Sequence, residues 1–107
     1  MIYEWRVYEI PPGKMANINS RFANITLNLF QKHGIRVVGF WEAVVGTSNN
    51  LYYMLAFDDL AHREKAWNAF GSDPDWIKAR AETEKDGPIV ARVHNMLLRP
   101  TSYSPLK

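Results

Sequence analysis

The chain has 107 residues, a formal net charge of +2, and 47% hydrophobic against 22% charged side chains, the balance of one folded domain and not of a disordered segment. It contains no cysteine, which excludes disulfides, thiol nucleophiles and thiolate metal sites. Its basic residues are scattered among nearly as many acidic ones and no apolar run approaches a membrane span, so neither nucleic acid nor a bilayer is an expected partner.

Taken in chain order, Ile2 to Ile10 alternates and is rich in aromatic and β-branched residues, which predicts a strand. The same opening, MIYEWRVYEI, is charged from its fourth residue and lacks the apolar stretch of a signal peptide, so a cytoplasmic location is expected. Pro11, Pro12 and Gly13 stop the strand. Met15, Ile18, Phe22, Ile25 and Leu29 then recur at helical spacing, with Asn17, Arg21, Asn24, Asn28 and Lys32 on the opposite, polar face. Gly34 suits the left-handed residue that closes this helix. Ile35 to Val45 predicts a second strand, in which Gly39 marks a bulge or a close approach. Gly46 to Asn50 is a hairpin loop and Leu51 to Phe57 a third strand. Asp58 or Asp59 caps a second helix with the stripe Leu60, Arg63, Trp67 and Phe70. Asp73 and Pro74 open a third, shorter helix running to about Lys85, and Ile89 to Leu98 predicts a fourth strand. Pro100 to Lys107 is a tail without periodicity.

The order is the split βαβ plan with one extra helical segment: a ferredoxin-like α+β domain over residues 1–107. Right-handed crossovers put the helices on one face of a four-stranded antiparallel sheet. The other face should then be polar, and it is not. Tyr3, Trp5 and Val7 oppose Ile2, Tyr8 and Ile10 on the first strand, and Tyr52, Met54 and Ala56 oppose Tyr53, Leu55 and Phe57 on the third. Whichever set meets the helices, the other leaves a large apolar patch, and a symmetric homodimer through that face is the expected cover. The tail and the extra helix are the alternative cover.

Several polar groups stand where apolar ones are expected. Arg63 interrupts the apolar stripe of the second helix; it either reaches a ligand's oxygen or pairs with Glu4, Glu42 or Glu84, and the rule that a buried guanidinium needs a counter-ion favours the pair. Glu4, Arg6 and Tyr8 alternate, so all three project to one face of the first strand. Arg6 and Tyr8 there either donate to an oxygen-bearing ligand or make interface contacts. His33, His62 and His94 fall in separate elements without ligand spacing, so no metal site is expected. His94 is a core or cavity residue, and Asn95 either bonds a ligand or bonds backbone. Nucleophile and phosphate-loop motifs are absent.

YEWRVY followed by PPGKM, then HGIRVVGFWEAVVG, YYMLAFDDLAHREKAWNAFGSDPDW and NMLLRPTSYSPL resemble, in this order, segments of NIPSNAP-family proteins. The resemblance covers nearly the whole chain, and the DDLAHRE to DPDW block with the LLRPTSYSPL ending is its most specific part. It implies the dimeric α+β barrel fold. It also implies that Arg6, Tyr8, Trp41, Arg63, Trp76 and Asn95 fill positions that the family fills in the same way, with pocket or structural roles. No catalytic residue and no cofactor is implied. The expected function is a homodimer holding a small, partly apolar ligand. Two alternatives stand beside it: a cofactor-independent monooxygenase or related isomerase using Arg6, Tyr8 or His94 as donor to an oxyanion, and a haem-binding or purely structural module.

Overall fold

The computed structural model describes all 107 residues. Strands β1 (Ile2–Glu9), β2 (Arg36–Glu42), β3 (Asn50–Phe57) and β4 (Arg92–Leu98) form one antiparallel sheet in the order β2-β3-β1-β4. The helices are α1 (Met15–Arg21), a π-helical turn (Phe22–Thr26), α2 (Leu27–Lys32), α3 (Leu60–Ser72) and α4 (Pro74–Thr83). Thus the two longest-range pairings join the chain's first strand to its third and its last, which is the ferredoxin-like plan. No helix is long and apolar enough to cross a membrane.

The core lies between the sheet and the helices. Leu51, Tyr53, Leu55 and Phe57 face inward from β3 and meet Ile18, Phe22, Leu29 and Phe30 from the first helical stretch and Ala66 and Phe70 from α3. The period of two along β3 therefore selects the buried set, and the helical period selects the matching one. At the end of α2, the N–H of Ile35 bonds the carbonyl of Phe30 at 2.9 Å and that of Gly34 bonds Gln31 at 3.2 Å. This closure needs a left-handed residue, and Gly34 supplies it at φ 73°. At the start of α4, the side chain of Asp73 accepts from the N–H of Asp75 at 2.8 Å, as an N-cap does.

Four details depart from the sequence reading. The strand expected to reach Val45 ends at Glu42, because Glu42 opposite Leu51 is the last pair; Val44 and Val45 are fully exposed in the loop, which turns through Asn49 at φ 62°. The strand expected from Ile89 begins at Arg92. Leu60 is exposed; the rest of the expected α3 stripe, Arg63, Trp67 and Phe70, does face inward, joined by Ala66. Arg21, assigned to the polar helix face, is 6% exposed. The π-helical turn that begins at the next residue explains the last point. It widens the inward face so that Arg21 and Phe22, and again Leu29 and Phe30, all turn inside.

The opposite sheet face carries Trp5, Tyr52, Trp41, Met54 and Met96, none of them under a helix. Trp5 lies 6.0 Å from Trp41 and 5.9 Å from Tyr52, centroid to centroid. Gly39 serves this cluster in both ways expected of it. The β2 register shifts between Val37 and Gly39, and a Cβ on Gly39 would stand 2.7 Å from the Trp41 indole, so the ring lies flat where glycine leaves room. The tail covers one end of the face: Pro100, Thr101, Ser104 and Leu106 line a depression with Tyr3 and Met54, and Tyr3 is buried. Trp41 is 48% exposed and Met96 54%.

Candidate functional site

Glu4 is the centre of the polar groups inside the fold. It is 0% exposed, at a β1 position aimed at α3, and it accepts five hydrogen bonds. Arg63 donates from Nε at 2.9 Å and from Nη2 at 3.1 Å, Trp67 from Nε1 at 2.9 Å, Arg6 from Nη1 at 2.8 Å and Asn95 from Nδ2 at 2.9 Å. Arg63 and Trp67 are one helical turn apart on α3, Arg6 is two residues along β1, and Asn95 sits across the β4 ladder. One carboxylate thus ties a helix to two strands. Burial by itself would raise the Glu4 carboxyl, but the bonds from Arg63, Asn95 and Trp67 and the charge of Arg6 outweigh it and lower it to about 2. Arg63 is therefore in the ion pair with Glu4, one of the partners its position in the stripe suggested.

Arg6 has a second engagement. Its Nε donates to the Tyr53 hydroxyl at 2.5 Å, and Tyr53 lies 2.9 Å from the Tyr8 hydroxyl. Its guanidinium also sits 4.7 Å above the Trp67 ring. Burial pushes the Tyr53 phenol well above its ordinary range, so it remains protonated.

Tyr8 leads to a cavity of about 270 Å³ at the open end of β1 and β4. Tyr8 and Val93 line it from the sheet, Arg21 from the first helix, Trp76, Arg80 and Glu84 from α4 and its end, and Val90 from the approach to β4. Arg21 stands over the Trp76 ring at 5.1 Å and bonds Thr83 Oγ1 at 3.3 Å and Glu84 at 3.2 Å. Its Nε, buried from water, has no partner in the chain. Glu84 also accepts from Arg80 at 3.1 Å. The wall is thus half apolar, with the guanidinium groups of Arg21 and Arg80 against the one carboxylate of Glu84; Arg92, opposite Glu9 in the ladder, turns its side chain to the other sheet face.

The candidate residues divide into three groups. Arg6, Arg63 and Asn95 converge on Glu4; Tyr8 and Trp76 line the cavity; Trp41 and His94 lie on the other sheet face. His94 pairs with Glu9 there, and that bond holds the Glu9 carboxyl below its ordinary range. None of the histidines lines the cavity. His33 bonds Asp73 at 2.7 Å, and His62 receives the Asp58 N–H at 2.9 Å and reaches the Gly34 carbonyl at 3.1 Å. Two contributors were not picked out by pattern. Tyr53 had a signal, since a tyrosine in an apolar strand set must find a partner for its hydroxyl. Arg21 had none, because only the π-helical turn brings it inside.

The NIPSNAP family model matches residues 3–105. The protein NipSnap of Drosophila melanogaster is 27% identical over 104 residues, which make up 97% of this chain but 36% of that protein, so the chain spans about a third of the relative's length. A NIPSNAP family protein of Agrobacterium tumefaciens superimposes with a TM-score of 0.89 at 21% identity, covering 99% of this chain and 98% of the other. A candidate antibiotic biosynthesis monooxygenase of Deinococcus radiodurans has a TM-score of 0.65 at 12% identity, covering 100% and 99%, a likeness of fold alone. The four-stranded sheet with its helices on one face therefore has the dimeric α+β barrel fold, and the chain is a member of the NIPSNAP family.

Proposed function

We propose that this protein is a homodimer, joined through the open sheet face, whose protomers each bind a small, partly apolar molecule bearing an oxygen group in the cavity beside Tyr8. The observation that carries the binding half is the cavity itself: a phenol, an indole and a buried guanidinium converge at about 270 Å³ of space, enough for a single-ring compound. The dimer rests on Trp5, Trp41, Tyr52 and Met96, a contiguous apolar patch that the tail leaves open. Aromatic groups at the centre of a self-complementary patch are what a two-fold interface uses.

Binding is preferred to turnover because the groups suited to acid–base work are engaged elsewhere. Arg6, Arg63 and Asn95 are held by Glu4, and His94 pairs with Glu9 on the far face. Oxygenase chemistry has the likeness of fold in its favour, but of the two proton-transfer groups in the cavity, Tyr8 and Glu84, the carboxylate is already held by Arg21 and Arg80. Cytoplasmic residence belongs to the same proposal and rests on composition alone.

Sedimentation equilibrium with a thermal-shift screen of single-ring aromatic acids, phenols and quinones tests both halves. A dimer at micromolar concentration whose melting temperature rises with at least one class is the expected result. A single-chain mass at high micromolar concentration refutes the dimer, and flat melting across every class refutes the binding.

A further inference from the structure

The direction of the hydrogen bonds leading to the cavity restricts what its occupant can be. Arg6 Nε can only donate, so the Tyr53 oxygen accepts from it. Tyr53 is 0% exposed, and its own proton has one available acceptor, the Tyr8 oxygen at 2.9 Å. The reverse arrangement, with Tyr8 donating, would leave the Tyr53 proton buried without a partner, at the full desolvation penalty of that group. Tyr8 avoids the same penalty because it is half-buried and lines the cavity, so its proton can go to whatever fills that space. The relay therefore runs from Arg6 to Tyr53 to Tyr8 and ends at the ligand.

The charges around the cavity select in the same sense. Arg21 and Arg80 share the one carboxylate of Glu84, and the buried Arg21 keeps one N–H without a partner. A cationic or purely donating ligand would meet donors and positive charge.

We infer that the ligand is a small aromatic or branched carboxylate, whose anionic oxygen accepts from Tyr8 under the polarising relay of Arg6 and Tyr53 while the guanidinium groups supply its counter-charge and Trp76 packs against its apolar part. This inference rests on the cavity being a binding site. Tyr8 is the contacting residue; Arg6 and Tyr53 are positioning residues that act through it.

Two measurements separate the inference from the reading beneath it. The first needs no ligand: neutron diffraction on crystals of the deuterated protein locates the hydroxyl deuterium atoms. Density on Tyr53 aimed at Tyr8 supports the relay, and density on Tyr8 aimed at Tyr53 overturns it even where ligands still bind. The second is calorimetric titration with benzoate, benzyl alcohol and benzylamine against the wild type and Tyr8→Phe. The expected order is benzoate above benzyl alcohol, with benzylamine not binding, and a loss of about ten- to hundredfold in benzoate affinity in Tyr8→Phe. Benzylamine equal to benzoate, or benzoate affinity unchanged in Tyr8→Phe, overturns the inference and leaves the binding site standing. No binding by any of the three overturns the binding reading, and the choice of ligand class falls with it.

Discussion

Replacing Glu4 with Gln removes one charge and almost no volume, yet it strikes the most connected side chain in the fold. The carboxylate offers acceptors on both oxygens, and all five donors around it are N–H groups. A Gln side chain has one carbonyl oxygen and an NH2 group. In either orientation of the amide at least two donors lose their acceptor and face another donor. Arg63, 27% exposed, can turn part of its guanidinium to water, but Arg6 at 14% has little such room. Breaking a buried pair from one side costs about 3–5 kcal/mol, because a charge is left behind without its partner. For a domain of this size that is on the order of 20 °C in melting temperature. Urea denaturation at fixed protein concentration measures it, with concentration held constant because the proposed dimer would add to apparent stability. The paired substitution Glu4→Gln with Arg63→Gln should cost less than the sum of the two single changes, since the second removes a charge the first has orphaned. A loss below about 1 kcal/mol for Glu4→Gln, or strict additivity with Arg63→Gln, would refute the hub as the element that joins α3 to the sheet.

The same carboxylate makes stability depend on pH. Its folded value of about 2 lies below the ordinary 4.5, so its contribution is present in full above about pH 4.5 and is lost as pH falls toward 2; this amounts to at most about 3 kcal/mol, and the Glu4→Gln variant should show a flatter acid limb over that window. Trp5→Glu places a charge at the centre of the open face and should raise the dimer dissociation constant by at least about thirtyfold while the circular dichroism spectrum stays native; a dimer of unchanged affinity would show that another surface joins the chains. Gly39→Ala should leave the fold intact but push the Trp41 ring, 2.7 Å from the new methyl, off its seat. Tryptophan fluorescence reports that movement and sedimentation the weaker self-association expected from it, and an unaltered emission spectrum would count against the close approach.

The element order, the division of the β3 residues into two opposed sets, the glycine closure after α2 and the cap on α4 were all legible along the chain, though not which β3 set meets the helices. Each depends on neighbours within a few residues: a period of two or of about 3.6, a left-handed position, an Asp before a Pro. The pairing of Arg63 with a carboxylate was legible too, because a guanidinium in an apolar stripe must find a counter-ion somewhere. Which carboxylate it finds was not. Glu4, Glu42 and Glu84 were equal candidates along the sequence, and Glu4 is selected because β1 lies in the middle of the sheet beneath α3, whereas Glu42 is on the edge strand and Glu84 follows α4. Trp41 and His94 could equally have joined the cavity until strand register placed them on the opposite face. Arg21 reads as a surface residue in any ideal helix and enters the interior through one π-helical turn. Local periodicity decides which side of its own element a residue takes, and that much the sequence determined alone. Which elements then stand opposite each other, and so which buried charge meets which donor, is decided by contacts between residues as far apart as Glu4 and Asn95, 91 positions along the chain, and only the tertiary structure sets those.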